Sequence, residues 1–183
     1  MAKSTQSPIE MIQSTDFETI KSGAEVLQDK GKLEQLPIIL KAYLNQTIPA
    51  NKKVLYELLA SIAVNGSKEA WLSILKSKEF APFQAQVVNI LWNTRIDFSQ
   101  ELEFFVQLAI QLDYLGTLEC LTLIEQMEGP FQEHQLLESE LLLKEYVKKN
   151  LDEGSSKQTL VAALATHIDQ LKMLDEEGLF FED

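Results

Sequence analysis

A chain of 183 residues, 45% apolar and 24% charged, suits a soluble globular fold that buries roughly 70% of its unfolded surface without disulfides or a structural metal. Its formal net charge of −12 repels phosphate backbones and anionic bilayers, so nucleic acid and membrane are not expected partners. With only 7 Gly and 5 Pro, it has too few sharp turns for a many-stranded β sandwich, and long helices are favoured.

The first stretch, MAKSTQSPIEMIQ, lacks the apolar core of a signal peptide, and no run approaches bilayer-crossing length. Residues 1–14 read as a flexible tail. Thr15-Asp16-Phe17-Glu18 then matches a capping box, in which a hydroxyl and a carboxylate three residues on satisfy free N–H groups of a first helical turn. Phe17, Ile20, Ala24 and Leu27 follow at helical spacing up to Gly31. A second helix carries Leu36, Ile39, Leu40 and Tyr43. A third, after Pro49, carries Leu55, Leu58, Leu59 and Ile62 and stops at Asn65-Gly66.

Ser67 is the expected N-cap of a fourth helix with Trp71, Ile74 and Leu75. The fifth begins near Pro82 and carries Val87, Val88, Ile90 and Leu91. Asp97, with Gln100 three residues on, is expected to cap the sixth, which carries Leu102, Phe105, Val106 and Ala109. A break at Tyr114-Leu115-Gly116 opens a seventh helix, running to Gly129-Pro130. The eighth covers about 132–151, and Gly154-Ser155-Ser156 separates it from a ninth ending near Leu174. No segment alternates as a strand does, so the fold class is all-α.

The helices recur. Apolar-x-x-apolar-apolar reads Leu36/Ile39/Leu40, Trp71/Ile74/Leu75 and Leu102/Phe105/Val106, while apolar-apolar-x-x-apolar reads Leu58/Leu59/Ile62, Val87/Val88/Leu91 and Cys120/Leu121/Ile124. Two interleaved series with a period near thirty-two residues are the mark of stacked helical hairpins. In this the chain resembles the HEAT and armadillo repeat families over residues 32–174, as four helix pairs with the first helix as a cap. Pro37 in LEQLPIIL is similar to the proline often found in the first helix of a HEAT unit. The resemblance implies a right-handed α-α superhelix of about nine helices, one domain over residues 15–174, that binds partners on its inner curve. An irregular helical bundle is the alternative architecture.

Chemistry is sparse. The only histidines, His134 and His167, form no H-E-x-x-H pair, and neither has a Glu three residues before it as a di-iron bundle requires. No Gly-rich phosphate loop or nucleophile elbow occurs. Carboxylates at Glu101/Glu103 and Glu138/Glu140 diverge around their helices, as solvated faces do. Cys120, the single cysteine, excludes an intrachain disulfide and fits a reducing compartment, which makes a cytoplasmic protein the expectation. It sits in an apolar helical run as a buried thiol. No catalytic residue, metal site or cofactor is expected, and the chain reads as a non-enzyme.

What remains is a surface for a partner. Residues 1–96 hold 11 Lys+Arg and 9 Asp+Glu, a net of +2, whereas residues 97–183 hold 5 and 19, a net of −14. Between Ile96 and Leu143 there are ten acids and no base. If second helices line an inner curve, Gln86, Asn89 and Asn93 form a polar stripe opposite the buried face of the fifth helix, flanked by Trp92. Glu119, Thr122 and Gln126 occupy the matching positions of the seventh. Amide rows suit an extended peptide, since each amide both donates and accepts. The ordinary alternative is a plain polar helix face.

Residues 175–183, DEEGLFFED, set Phe180 and Phe181 among acids, either to cap the last helix or to hook another protein. The expected function is thus a non-catalytic interaction module binding a protein or peptide with basic surface. The alternatives are a self-associating subunit, hence a homo-oligomer, and an enzyme with an unsuspected pocket at either histidine.

Overall fold

The computed structural model describes residues 6–62, 66–150 and 156–176. Among them the chain is all-helical, with ten α-helices and no strand. They are α1 (Pro8–Met11), α2 (Phe17–Lys30), α3 (Leu36–Asn45), α4 (Pro49–Ala60), α5 (Ser67–Lys76), α6 (Gln84–Leu91), α7 (Leu102–Gln111), α8 (Tyr114–Ile124), α9 (Glu133–Lys149) and α10 (Ser156–Glu176). The chain divides into two compact units. One runs to Pro82 and includes Asn93–Arg95, and the other comprises Phe83–Trp92 and the chain from Ile96 onward.

In the first unit the expected flexible tail gives way to structure. Ser7-Pro8-Ile9-Glu10 is itself a capping box. The Ser7 hydroxyl accepts from the Glu10 N–H at 3.3 Å, and the Glu10 carboxylate accepts from the Ser7 N–H at 2.7 Å. That one-turn helix packs on α2 and leaves Ile12 fully buried. Gly23 permits the approach, because a Cβ there would lie 2.7 Å from the Met11 Cβ.

The capping residue of α2 is Asp16, one position later than the expected Thr15. Its carboxylate accepts from the Thr19 N–H at 2.9 Å and hydroxyl at 2.7 Å, and these bonds hold its pKa below the ordinary aspartate value. Phe17, expected on the buried face, is 41% exposed at the rim of a groove between α2 and α4. The core of the unit includes Ile20, Leu36, Leu40, Leu55, Leu59 and Trp71. Asn51, also buried, donates from Nδ2 to the Thr15 carbonyl at 3.0 Å and so ties α4 to the turn before α2. The N-cap of α5 is Gly66, not Ser67. Its φ of 83° is a left-handed value that a side chain would disfavour, while Ser67 is already helical and buried.

In the second unit α6 packs on α8, α7 on α8 and α9, and α10 on α8 and α9. The core includes Val87, Leu91, Phe98, Leu102, Phe105 and Cys120. Phe98 and Phe105 meet edge to face with centroids 5.4 Å apart. Asp97 does not cap α7 directly. Its Oδ1 accepts from the Ser99 N–H at 2.9 Å and hydroxyl at 2.5 Å, which builds a 3-10 turn (Ser99–Glu101) ahead of the helix.

Gly116 is no break either. Asp113 caps α8 at Tyr114, and Gly116 lies buried inside the helix, where a Cβ would come within 2.5 Å of the Leu112 Cβ. The glycine therefore serves close packing and not a turn. The ends of α7 and α9 are tied together. The Gly129 N–H donates to the Ser99 hydroxyl at 3.1 Å, Gln100 Nε2 donates to the Pro130 carbonyl at 3.0 Å, and Gln135 Nε2 donates to the Gln100 carbonyl.

Candidate partner-binding face on α6 and α8

The residues that sequence spacing placed on one stripe separate into two groups. On α6 the side chains of Val87, Val88, Ile90 and Leu91 are buried, which turns Gln86 outward and leaves Asn89 half-buried. On α8 Cys120, Leu121, Leu123 and Ile124 face inward, so Glu119 and Thr122 are half-buried and Gln126, just past the helix, is exposed.

Asn89, Trp92 and Glu119 meet. Glu119 Oε2 accepts from Asn89 Nδ2 at 3.0 Å and from the Trp92 indole N–H at 2.9 Å. Both donors are neutral, so they fix the carboxylate without cancelling its charge, and a carboxylate has further lone pairs for a cation. Thr122 is engaged locally, donating its hydroxyl to the Leu118 carbonyl at 3.0 Å. Asn93 does not continue the stripe. The helix ends at Leu91, and Asn93 belongs to the first unit, where its Nδ2 donates to the Tyr56 hydroxyl at 2.7 Å. That partner was not foreseen, and only the side-by-side placement of two chain segments 37 residues apart reveals it.

Phe180 and Phe181 lie outside the described residues. His134 is exposed. His167 is half-buried, with its Nε2 enclosed and lacking a hydrogen-bond partner. Cys120 is fully buried, and burial, with the neighbouring Glu119 carboxylate, pushes its thiol up to about 12. A thiol in that state is a poor nucleophile at neutral pH. No cluster of three or more His, Cys, Asp or Glu capable of holding a metal occurs among the described residues. No helix of those residues is long and apolar enough to cross a membrane.

A second concave feature, which the spacing of apolar residues did not single out, lies between α9 and α10. It is a groove of about 360 Å³ lined by Glu140, Leu143, Lys144, Val147, Lys148, Ala165 and Asp169. One sequence signal does point to it. The five bases of residues 97–183 are Lys144, Lys148, Lys149, Lys157 and Lys172, all on these two helices. Glu140 pairs with both Lys144 and Lys172, and those two cations hold its carboxyl down to about 2. No family model, curated protein or solved structure matches the chain.

Proposed function

We propose that the protein is a non-catalytic interaction module whose α6–α8 face grips a basic, extended segment of another protein. The observation that carries this reading is Glu119, fixed by Asn89 and Trp92 at a half-buried position. It lies within a stretch, 97–142, that holds ten acids and no base. A carboxylate held ready in this way loses little freedom when a lysine or arginine arrives, and the surrounding negative field speeds the encounter.

The HEAT- or armadillo-like reading accompanies this proposal. Two observations support it. In the second unit α8 packs on α6 and α7, and α10 packs on α8 and α9, as stacked antiparallel pairs do. Several side-chain hydrogen bonds also span close to one expected period, Gln46 to Ser14 over 32 residues, Asn89 to Glu119 over 30 and Gln132 to Gln100 over 32, beside others that span from 27 to 47.

The test is selection of peptides from a displayed random library by the full chain, repeated with Glu125→Lys/Gln126→Lys. Both positions are exposed beside the node, so the variant keeps its fold. Enriched Lys/Arg-rich peptides should bind about tenfold more weakly to the variant, and more weakly to the wild type as salt rises from about 0.05 to 0.5 M. Peptides indifferent to both changes would overturn the assignment of this face. A chain that binds only further copies of itself, through its lysine-bearing first unit, would favour the self-associating subunit.

A further inference from the structure

The groove between α2 and α4, within the first unit, carries its charges in an order that a second copy of the same groove matches. It holds about 560 Å³ between Phe17, Lys21 and Glu25 on one wall and Lys53, Val54 and Glu57 on the other. The two helices run in the same sense, because Asn51 at the start of α4 donates to the Thr15 carbonyl just ahead of α2. Lys21 and Lys53 therefore lie toward one end of the groove, and Glu25 and Glu57 lie one turn further along. All four are exposed.

Within its own helix this order gains little. A lysine four residues ahead of a glutamate is the less favourable orientation for such a pair. Lys53 and Glu57 stand 3.8 Å apart with both side chains largely exposed, a weak contact in water. The same order on both walls gives the groove a positive end and a negative end. A two-fold axis running across the helices lays α2 on α2 and α4 on α4, each antiparallel to its mate. Lys21 then faces Glu25 of the second copy and Lys53 faces its Glu57, and symmetry supplies the reverse contacts. An axis along the helices would instead set lysine against lysine. Phe17, 41% exposed at the rim, lies one turn beyond Lys21 and reaches about the level of Gln28 of the second copy.

We propose that two copies of the chain associate weakly, face to face and antiparallel, through their α2–α4 grooves. The occupant of each groove is the second copy, and the four helices form a small bundle. The lined length of α2, Phe17 to Gln28, spans about 16 Å, and two packed helices are about 20 Å wide. A footprint of that size belongs with small, transient interfaces, so the facing charges decide which arrangement forms. Peptide binding at α6–α8 neither requires nor excludes this contact.

Charge reversal in the full chain tests it, with circular dichroism as the check on each variant's fold. In sedimentation at about 0.05 M salt the wild type should dimerise. Lys21→Glu/Lys53→Glu and Glu25→Lys/Glu57→Lys should each associate at least about tenfold more weakly. The second variant is less negative overall, so general repulsion alone would make it associate more strongly. Mixing the two should restore the dimer. A chain with all four reversals should pair with itself and not with the wild type, since its charges match their own two-fold copy and clash with the original order. A wild type that stays monomeric up to about 1 mM, a dimer indifferent to the reversals, or a fully reversed chain that pairs with the wild type would each overturn the proposal. So would association weakened by losing the lysines but strengthened by losing the glutamates, the signature of a head-to-tail contact with the acidic second unit.

Discussion

At the scale of single residues, two positions show sequence preference and local geometry in opposition. Arg95, exposed, has a φ of 59°, a left-handed backbone that costs an L-residue roughly 1–2 kcal/mol. Arg95→Gly should therefore raise stability by about 0.5–1 kcal/mol after the glycine's greater unfolded-state freedom is counted, visible as a higher urea midpoint at unchanged slope.

Gly116 is the converse. Alanine in place of glycine within a helix ordinarily gains about 1 kcal/mol, but here the new methyl would press on Leu112 Cβ and Cδ1 at 2.5 and 2.7 Å. Gly116→Ala is expected to destabilise by about 1–3 kcal/mol, by the same urea assay. Cys120 supplies a third expectation. With its thiol buried and pushed up to about 12, alkylation by iodoacetamide at neutral pH should proceed only as fast as the protein opens, and quickly in denaturant.

At the scale of elements, the helices were legible because apolar residues recur at three and four positions over long runs. The assignments of Leu36/Ile39/Leu40, Trp71/Ile74/Leu75 and Val87/Val88/Leu91 to buried faces agree with the structure. The ends were less so. Thr15 and Asp16 are both good N-caps, and only the backbone decides which oxygen meets the Thr19 N–H. Glycine at 116 resembled a breaker because its packing partner, Leu112, precedes the helix and its orientation is not written in the spacing. The outward polar face was legible on α6 up to Trp92 and lost at Asn93, because the helix stops at Leu91 and the face it defined stops with it.

Helix pairing also carries a pH signature. Glu140, near 4.5 when unfolded, falls to about 2 between Lys144 and Lys172. On acidification the unfolded chain takes up this proton first, so the stabilisation is complete above about 4.5 and disappears as pH falls toward 2. Glu140→Gln should flatten acid unfolding in that window and, for a pair so near the surface, cost only roughly 0.5–1 kcal/mol at neutral pH. Thermal melts across the acid range would check both.

At the scale of the whole molecule, charge was read directly and needs no fold. A sequence pI near 4.6 means that self-repulsion vanishes there, so light scattering across about pH 3.5 to 7 should find greatest association near that value. An aggregation maximum near neutrality would show instead that exposed apolar residues such as Leu115, Leu141 and Met173 dominate.

The hydrogen bonds that join one element to another bear on how the chain acquires its form. In the second unit several link residues 30 to 32 positions apart, such as Asn89 and Glu119, Ser99 and Gly129, and Glu140 and Lys172, while Lys157 reaches the Ile110 carbonyl across 47. Loops closed over such short spans fold on roughly the microsecond-to-millisecond scale of helical proteins, whereas a ribosome takes about 2–6 s to add thirty residues. Each new helix of that unit thus emerges to find its predecessor already formed. The first unit differs, since Tyr56 must wait for Asn93. Proteolysis of nascent chains halted at successive lengths should accordingly show protection arriving helix by helix in the second unit, and later than its own last helix in the first.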